Sequence, residues 1–175
     1  MLRGGGLAFA GPNSVVSVRV TPAIRAVAAA AIRHRVLEYD YDPSAEAIGL
    51  QAAEALGIDP ARVFKTLVVA LDGGELVSAA IPSDARLSLK ALAAAAGARR
   101  AEMAPPARAE RATGYVVGGI SPFGQRRRLR AFIDESALRH EEILLNGGRR
   151  GLQIALAPAD AITALDARTA ALTAG

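Results

Sequence analysis

A glycine-rich loop followed at once by several arginines is the feature of this sequence best suited to chemistry. It reads GGISPFGQRRRLR and covers residues 118–130. Its glycines can serve a tight turn, or they can let a ligand approach bare backbone amides. A second loop, GGRRG at residues 147–151, repeats the combination between two predicted strands. Together the loops predict a cleft for an anion, although a hairpin turn accounts for the second loop nearly as well.

Lys65 is the single cation that we select for a catalytic role, because the chain has only one other lysine, Lys90. The stretch FKTLVVAL, residues 64–71, predicts a strand that is buried on both faces. A lysine at the mouth of such a strand lies beside the core. It either extends its ammonium to solvent or presents it to a phosphate or carbonyl oxygen inside a pocket.

Several enzyme classes are disfavoured by the residues present. Gly119 and Gly124 have the spacing of P-loop glycines, but Gln125-Arg126 stands where Lys-Ser/Thr is required. The chain has no cysteine, which excludes thiolate zinc sites and cysteine nucleophiles. Neither histidine has a metal-ligand neighbour at suitable spacing, and Ser121 lacks the setting of a serine nucleophile. We therefore expect neither a metal ion nor a cofactor.

Positive charge is concentrated between Arg86 and Arg130. This segment has ten cations and two acids, so it carries +8 although the whole chain carries only +4. Such a field attracts polyanions and speeds their encounter with the protein. A solvated basic face without a partner is an equally simple interpretation of the charge alone.

The length of 175 residues favours one domain. We place it at residues 20–175, after an N-terminal extension, residues 1–19, that glycine and proline interrupt and that we expect to be disordered. No apolar run approaches the ~20 residues of a membrane span. The lack of cysteine fits a reducing compartment. These features predict a soluble cytoplasmic protein with no membrane partner.

The order of helices and strands favours an α+β fold with a mixed sheet. Predicted helices run from Pro22 to about Arg35, from a Ser44 cap to Gly57, over Ser88–Ala96 and over Pro158–Leu172, with short turns at Asp59-Pro60 and Pro105-Pro106. Predicted strands cover residues 36–41, 64–71, 75–81, 100–103, 115–118, 129–133, 143–145 and 152–156.

The motifs, taken in order, resemble the YbaK/EbsC family, specifically its Cys-tRNA(Pro) deacylases, free-standing relatives of the editing domain of bacterial prolyl-tRNA synthetases. The resemblance covers about residues 21–170 and rests on TPAIR, YDYDP, RVFKTLVVAL, LSLKALAAAAGARRAEMA, TGYVVGGISPFGQRRRLRAFID and NGGRRGLQIAL. It implies a mixed, partly barrel-like β-sheet surrounded by helices. It also implies hydrolysis of mischarged Cys-tRNA(Pro), with the tRNA(Pro) acceptor end and, transiently, prolyl-tRNA synthetase as partners, and no DNA.

The resemblance assigns roles by position. The implied catalytic residues are Lys65, Gly118 and Gly119. The implied substrate-binding residues are Tyr39, Ile120, Ser121, Pro122, Phe123, Gly124, Gly147, Gly148 and Gln153. The implied tRNA-binding residues are Arg126, Arg127, Arg128, Arg130, Arg149 and Arg150. Many relatives have an acidic residue where this chain has Gln153, which can form hydrogen bonds but cannot supply a carboxylate.

The resemblance also accounts for the missing nucleophile, since in these deacylases the thiol of the substrate attacks its own ester carbonyl. The protein then has to position the thiol and stabilise the oxyanion. Two alternatives are a deacylase for another mischarged tRNA, such as Ala-tRNA(Pro), and a non-catalytic module that binds tRNA or a synthetase. The GGISPFGQ loop favours the cysteine branch, and Lys65 together with that loop favours an enzyme.

Overall fold

The computed structural model describes residues 19–46 and 48–175, so the predicted N-terminal extension lies outside the described residues except for Arg19. The α-helices in the described part are α1 (Pro22–Ala29), α2 (Ile48–Leu56), α3 (Leu89–Ala96), α4 (Pro106–Thr113) and α5 (Pro158–Leu165). Short 3-10 helices cover Pro60–Arg62 and Glu135–Arg139. The strands are β1 (His34–Glu38), β2 (Phe64–Leu71), β3 (Leu76–Pro82), β4 (Ala101–Met103), β5 (Arg130–Asp134), β6 (Ile143–Asn146), β7 (Leu152–Leu156) and β8 (Arg168–Ala170).

The strands form two sheets that meet at one point. The larger sheet has the order β4-β2-β3-β5-β8; its first three strands are antiparallel, and β5 and β8 are parallel to their neighbours. The smaller sheet, β1-β7-β6, is antiparallel. An isolated parallel bridge between Val63 and Leu144 joins them without closing a barrel in the described part of the chain. The predicted α+β fold with a mixed, partly barrel-like sheet is confirmed.

Strand β2 is the centre of the structure, and its two faces contribute to two different apolar clusters. Phe64 and Val68 pack in the larger cluster, together with residues of α1, β5 and β7. Val69 and Leu71 pack in the second cluster, against Leu92 of α3. This alternation follows from the two-residue period of a strand. The predicted strand at 64–71, buried on both faces, is therefore confirmed.

The first predicted helix begins at Pro22 as expected but ends early, and the strand after it begins and ends earlier than expected. Helix α1 ends at Ala29 instead of near Arg35, and Ala31 adopts a left-handed backbone with φ of 56°. Strand β1 then starts at His34, which pairs with Leu156 of β7. The alanine-rich segment contains no local stop signal, so pairing with a distant strand sets the boundary.

The start of the second helix also differs from the prediction. Ser44 does not cap α2; its backbone amide and hydroxyl both donate to Asp42 Oδ1, at 2.9 and 2.6 Å, in a turn. These hydrogen bonds lower the pKa of Asp42. Helix α2 begins at Ile48, and Ala47 lies outside the described residues. The local preference of serine and aspartate for turns explains the difference.

Two predictions in the second half of the chain are wrong for different reasons. The segment 115–118 is a turn and not a strand: Gly119 N donates to Val116 O at 2.8 Å, and Gly118 has φ of 88°. The final helix ends at Leu165 and not at Leu172, because Asp166 is left-handed and the chain returns as β8 beside β5. Asp134 Oδ1 then accepts a hydrogen bond from Leu172 N.

The middle of the 118–130 loop, residues 121–124, is anchored in the protein. Phe123 is buried in the larger apolar cluster, and its carbonyl accepts a 2.6 Å hydrogen bond from the Tyr115 hydroxyl. Ser121 is fully buried, and its Oγ accepts from Phe123 N. Gly124 lies against the first turn of α1, where an added Cβ would stand 2.4 Å from Pro22 O. These contacts hold the preceding residues, 118–120, in place.

We predict that Gly124→Ala destabilises the protein much more than Gly57→Ala. Both glycines have nearly the same left-handed backbone, with φ of 63° and 64°, but no atom of the described residues lies within 4 Å of a Cβ added at Gly57. Both variants should lose about 1 kcal/mol from backbone strain. Only Gly124→Ala should lose roughly 1–3 kcal/mol more from overpacking. Urea unfolding measures the difference, and equal losses would contradict this account of the loop.

Candidate active site

A cavity of about 440 Å³ opens where β2 changes its pairing partner. Val63, just before β2, forms the bridge to Leu144 of β6, whereas β4 pairs with β2 only from Val69 onward. Between these points, no strand of the described part of the chain lies beside this edge of β2. The walls of the cavity are built from α2, the first half of β2, α4, Val117, Gly118, Ile120, Asn146 and Gln153.

Lys65 lies half-buried in this cavity. Its Nζ donates to Ser83 O at 3.3 Å, and α2 approaches the side chain so closely that a Cβ on Gly49 would touch Lys65 Cδ at 3.8 Å. Burial lowers the pKa of Lys65, and the nearby Asp84 carboxylate opposes the shift. The sequence left open whether Lys65 points to solvent or into a pocket, and the structure places it in the cavity wall. There its ammonium can contact a carbonyl or phosphate oxygen.

Tyr39 and Gln153 line the same cavity beside each other. Gln153 is 5% exposed on β7, and Tyr39 follows β1, with its backbone N–H donating to Gly151 O at 3.0 Å. Burial raises the pKa of Tyr39, while its contacts with the Gly151 backbone and the Gln153 side chain partly oppose the shift. The structure therefore brings both predicted substrate-binding residues to the cavity that contains Lys65.

The two glycine-rich loops pack directly against each other. A Cβ on Gly119 would stand 2.9 Å from Arg149 Cα and from Arg150 N, so only glycine allows this approach. Gly118 and Ile120 line the cavity, but the Gly119 amide is already bonded to Val116 O. Gly119 thus serves loop contact in this conformation, and its N–H is not directed to a ligand.

Asn146 is a site residue that sequence reasoning missed. It ends β6, is 7% exposed and lines the cavity. Its Nδ2 donates to Gly118 O at 3.3 Å, and its Oδ1 accepts from Gly148 N at 2.7 Å. One side chain therefore connects the two loops. The available signal was an asparagine, a residue that bonds nearby backbone, immediately before Gly-Gly.

Six of the predicted substrate-binding residues lie outside the cavity wall. Four belong to the anchored middle of the first loop: Ser121, Pro122, Phe123 and Gly124. In the second loop, Gly147 O accepts a hydrogen bond from the Thr21 hydroxyl. Gly148 packs so tightly that a Cβ would stand 2.9 Å from the Tyr115 ring. These six residues position the cavity wall in this structure.

The two arginines of the second loop have different partners. Arg150 donates two hydrogen bonds to Val117 O, at 3.1 and 2.9 Å, and its guanidinium lies 5.5 Å from the centre of the Tyr41 ring. Arg149 forms an ion pair with Glu38. Because Val117 belongs to the cavity wall, Arg150 borders the mouth of the cavity.

The predicted basic stretch after the first loop divides into two groups. Arg126 and Arg127 are exposed, and neither forms an ion pair within the described ranges. Arg128 donates to Ala164 O of α5. Arg130 pairs with Glu75 at 3.0 Å, donates to Ala96 O and lies over the Phe132 ring.

Arg130 is also far from Lys65 along the sheet. It pairs with Val77 of β3, whereas Lys65 pairs with Ile81. Four residues of β3 separate these levels, which is about 13 Å at the usual rise of a strand. The ion pair with Glu75 gives Arg130 a structural partner in the free protein. Within residues 19–46 and 48–175, no group of three or more metal-ligating side chains is placed to hold a metal ion.

A family model described as an aminoacyl-tRNA editing domain matches residues 42–164. The chain belongs to this aminoacyl-tRNA editing family. "Putative Cys-tRNA(Pro)/Cys-tRNA(Cys) deacylase EbsC" of Enterococcus faecalis is 36% identical over 137 residues, which cover 78% of this chain and 84% of that protein. "Multifunctional Ser/Thr-tRNA deacylase ProXp-y" of Escherichia coli is 31% identical over 130 residues, which cover 72% and 75% of the two chains.

A solved structure described as "a putative trans-editing enzyme for prolyl tRNA synthetase" has a TM-score of 0.74 and 24% identity, and it covers 90% of this editing protein and 100% of that chain. This likeness supports the fold. The predicted family is confirmed, and so is the coarse functional prediction of an aminoacyl-tRNA editing enzyme. The choice of amino acid and tRNA is a finer question than family membership.

We predict that Asn146→Ala loosens both loops, whereas Asn146→Asp loosens only one contact. Alanine removes both hydrogen bonds, while aspartate keeps the acceptor for Gly148 N and loses the donor to Gly118 O. Amide hydrogen exchange should therefore become faster at Gly148 in the alanine variant but not in the aspartate variant.

The Gly114 amide, which caps α4 through Glu110 O, is an internal reference that should not change. Unchanged protection of Gly148 in Asn146→Ala would show that this side chain does not hold the second loop.

Proposed function

We propose that the protein is a trans-editing deacylase that hydrolyses the cysteinyl ester of mischarged Cys-tRNA(Pro). The observation that carries the proposal is the position of Lys65, which among the described residues is the only lysine or arginine in the wall of a largely apolar cavity that the Gly118 loop borders. Cavities of this size suit a small ligand held by a few polar groups. The 36% identity to EbsC supports cysteine as the amino acid.

The physical need for such an enzyme follows from molecular size. Cysteine and proline differ little in volume, and a small apolar pocket separates ligands that differ by one methylene only about 10- to 200-fold. A synthetase that needs higher accuracy therefore requires a second site that removes the wrong product. A free-standing editing domain can provide that second site.

In the proposed reaction the cysteine thiol of the substrate is the nucleophile. Its sulfur attacks the ester carbonyl carbon, so that a C–S bond forms and the C–O bond to the ribose breaks. The thiol proton passes to the leaving ribose oxygen, and water then opens the resulting thiolactone to release cysteine. This route needs no nucleophilic side chain, and holding the thiol against the carbonyl lowers the barrier by up to roughly 7–11 kcal/mol.

The protein's part in this reaction is to hold and polarise the ester. Lys65 is placed to stabilise the negative charge that develops on the carbonyl oxygen, or to contact the phosphate of the terminal adenosine. Its hydrogen bond to Ser83 O directs the ammonium along the cavity wall. Asn146 fixes the Gly118 turn that borders the same space. Tyr39 and Gln153 complete the polar part of the wall.

The tRNA backbone is proposed to lie over Arg150 at the rim, over Arg149 beside it in the same loop, and over the exposed Arg126 and Arg127. Arginine binds phosphate well because its guanidinium offers several donors in one plane. Phosphate contacts carry little sequence information. We therefore propose that prolyl-tRNA synthetase, as a transient partner, supplies much of the selection for tRNA(Pro).

Lys65→Ala is expected to reduce kcat/KM for Cys-tRNA(Pro) deacylation by roughly 10²–10³-fold, the usual loss when a group that stabilises a developing oxyanion is removed. The matched control is Lys90→Ala, which removes the other lysine, exposed on α3. Release of labelled cysteine measures the rate, and thermal unfolding verifies the fold. Full activity in a natively folded Lys65→Ala protein would refute the assigned role.

Neutralising the exposed pair, Arg126→Gln with Arg127→Gln, is expected to weaken tRNA binding and flatten its dependence on salt. Each lost phosphate contact should reduce the slope of log affinity against log salt by about 0.9, the value for a B-form duplex, so the double variant should lose about 1.8. The matched control is Arg130→Gln, which removes a cation already paired with Glu75. Arg130→Gln should lower folding stability and leave the salt slope unchanged; the opposite pattern would reverse the two assignments.

A further inference from the structure

A second cavity, of about 240 Å³, lies at one edge of the larger sheet. Strands β3, β5 and β8 are parallel to one another, so their carboxyl ends reach this edge together. Asp84 follows β3, Ser136 follows β5 and Thr173 follows β8, and all three residues line the second cavity. The carboxyl ends of parallel strands are a common place for ligands, because the segments that follow several strands converge there.

The walls of the second cavity are held by hydrogen bonds within the protein. Both carboxylate oxygens of Asp134 accept from backbone amides, from Leu172 N at 2.8 Å and from Ser136 N at 3.1 Å. An antiparallel bridge between Leu87 and Thr173 joins the segment after β3 to the segment after β8. The second cavity is therefore formed before a ligand arrives, and Asp134 is occupied in holding its walls.

Two opposite charges line the second cavity without pairing. Asp84 and Arg139 are both exposed, and neither forms an ion pair within residues 19–46 and 48–175. They border one space but do not bind each other. His140, which follows Arg139, lines the same cavity, and an imidazole can also donate a hydrogen bond. The second cavity thus offers a carboxylate from the segment after β3 and donors from the segment after β5.

This arrangement of charges selects a class of ligand. A phosphate would be repelled by the carboxylates of Asp84 and Asp134, and a simple cation would be repelled by Arg139. In the part of the chain that the structure describes, no group of three or more metal-ligating side chains is placed to hold a metal ion. A free α-amino acid carries both an ammonium and a carboxylate, so each of its charges gains a charge-assisted hydrogen bond.

We propose that the second cavity binds a free α-amino acid, with its ammonium at Asp84 and its carboxylate at Arg139 and His140. The site is separate from the cavity of Lys65 but adjoins it, since Ser83 lines the first cavity and Asp84 lines the second. A bound amino acid therefore contacts the residue next to the carbonyl that accepts from Lys65. Binding at this site goes beyond the proposed deacylase function and does not require it.

Titration of the full-length protein, followed by amide NMR shifts, tests the site in the absence of tRNA. The probes are L-alanine, L-lactate, which replaces the ammonium by a hydroxyl, and L-alaninamide, which replaces the carboxylate by an amide. L-Alanine should shift the amides of Ala85, Ser136 and Thr173 with a dissociation constant of about 1 mM or lower. Each analogue should bind at least about tenfold more weakly, because it lacks one charge-assisted contact.

Two results of this titration would overturn the proposal. Equal binding of all three probes would show that the second cavity does not recognise both charges of an amino acid. The other result is the absence of a saturable shift with L-alanine at roughly tenfold the expected dissociation constant.

Variants that remove one charge test the two assigned contacts. Asp84→Asn and Arg139→Gln should each weaken binding of L-alanine at least about tenfold. Both should unfold at nearly the wild-type urea concentration, because each side chain is exposed and forms no ion pair within the described ranges. The matched controls, Asp160→Asn and Arg99→Gln, change exposed residues that do not line the second cavity and should leave binding unchanged.

Lys65→Ala distinguishes the second cavity from the first. Binding of L-alanine should persist in this variant, because Lys65 does not line the second cavity. Loss of binding in Lys65→Ala together with full binding in Asp84→Asn would place the amino acid in the first cavity and refute the second site. Unchanged binding in both Asp84→Asn and Arg139→Gln would refute it too. An inactive deacylase would alter none of these results, since no measurement uses tRNA.

Discussion

The site depends on one constraint, that an edge of β2 cannot pair with two strands at once. Strand β6 meets this edge at Val63, and β4 pairs with it only from Val69. Where the two sheets separate, the edge is left for helices and a loop to cover, and the cover encloses a cavity. A strand that is buried on both faces thereby carries Lys65 at a surface that a ligand can reach.

A second requirement is the close approach of two loops that are distant in sequence. Gly119 lies against the backbone of Arg149 and Arg150, and Asn146 bonds both loops. The resulting wall is rigid because it uses backbone contacts that no larger residue would allow. The same packing explains why several glycines that a motif-based reading assigns to substrate contact lie behind the cavity wall.

The sequence was informative where local pattern decides structure. The hairpin of β2 and β3 follows from β-branched runs around Asp-Gly-Gly, and α3 follows from its Ser88 cap and from Gly97, which is left-handed. Sequence reasoning failed where distant partners decide. The sequence predicted a strand at 115–118, but the hydrogen bond from Gly119 N to Val116 O forms a turn there. The residues around Arg130 in the sequence likewise do not predict its ion pair with Glu75. The sequence FKTL also does not predict that the Thr66 hydroxyl lacks a hydrogen-bond partner among the described residues.

Helix α1 supports both loops although it lies upstream of the segment, 42–164, that the family model spans. The Thr21 hydroxyl accepts from Ile24 N at the start of this helix and donates to Gly147 O, while Pro22 O abuts Gly124. The start of the helix thus contacts both loops. Sequence changes in this upstream segment can therefore alter the geometry of the cavity while every residue of 42–164 stays the same. Sequence comparisons confined to residues 42–164 would not detect the cause of such a change.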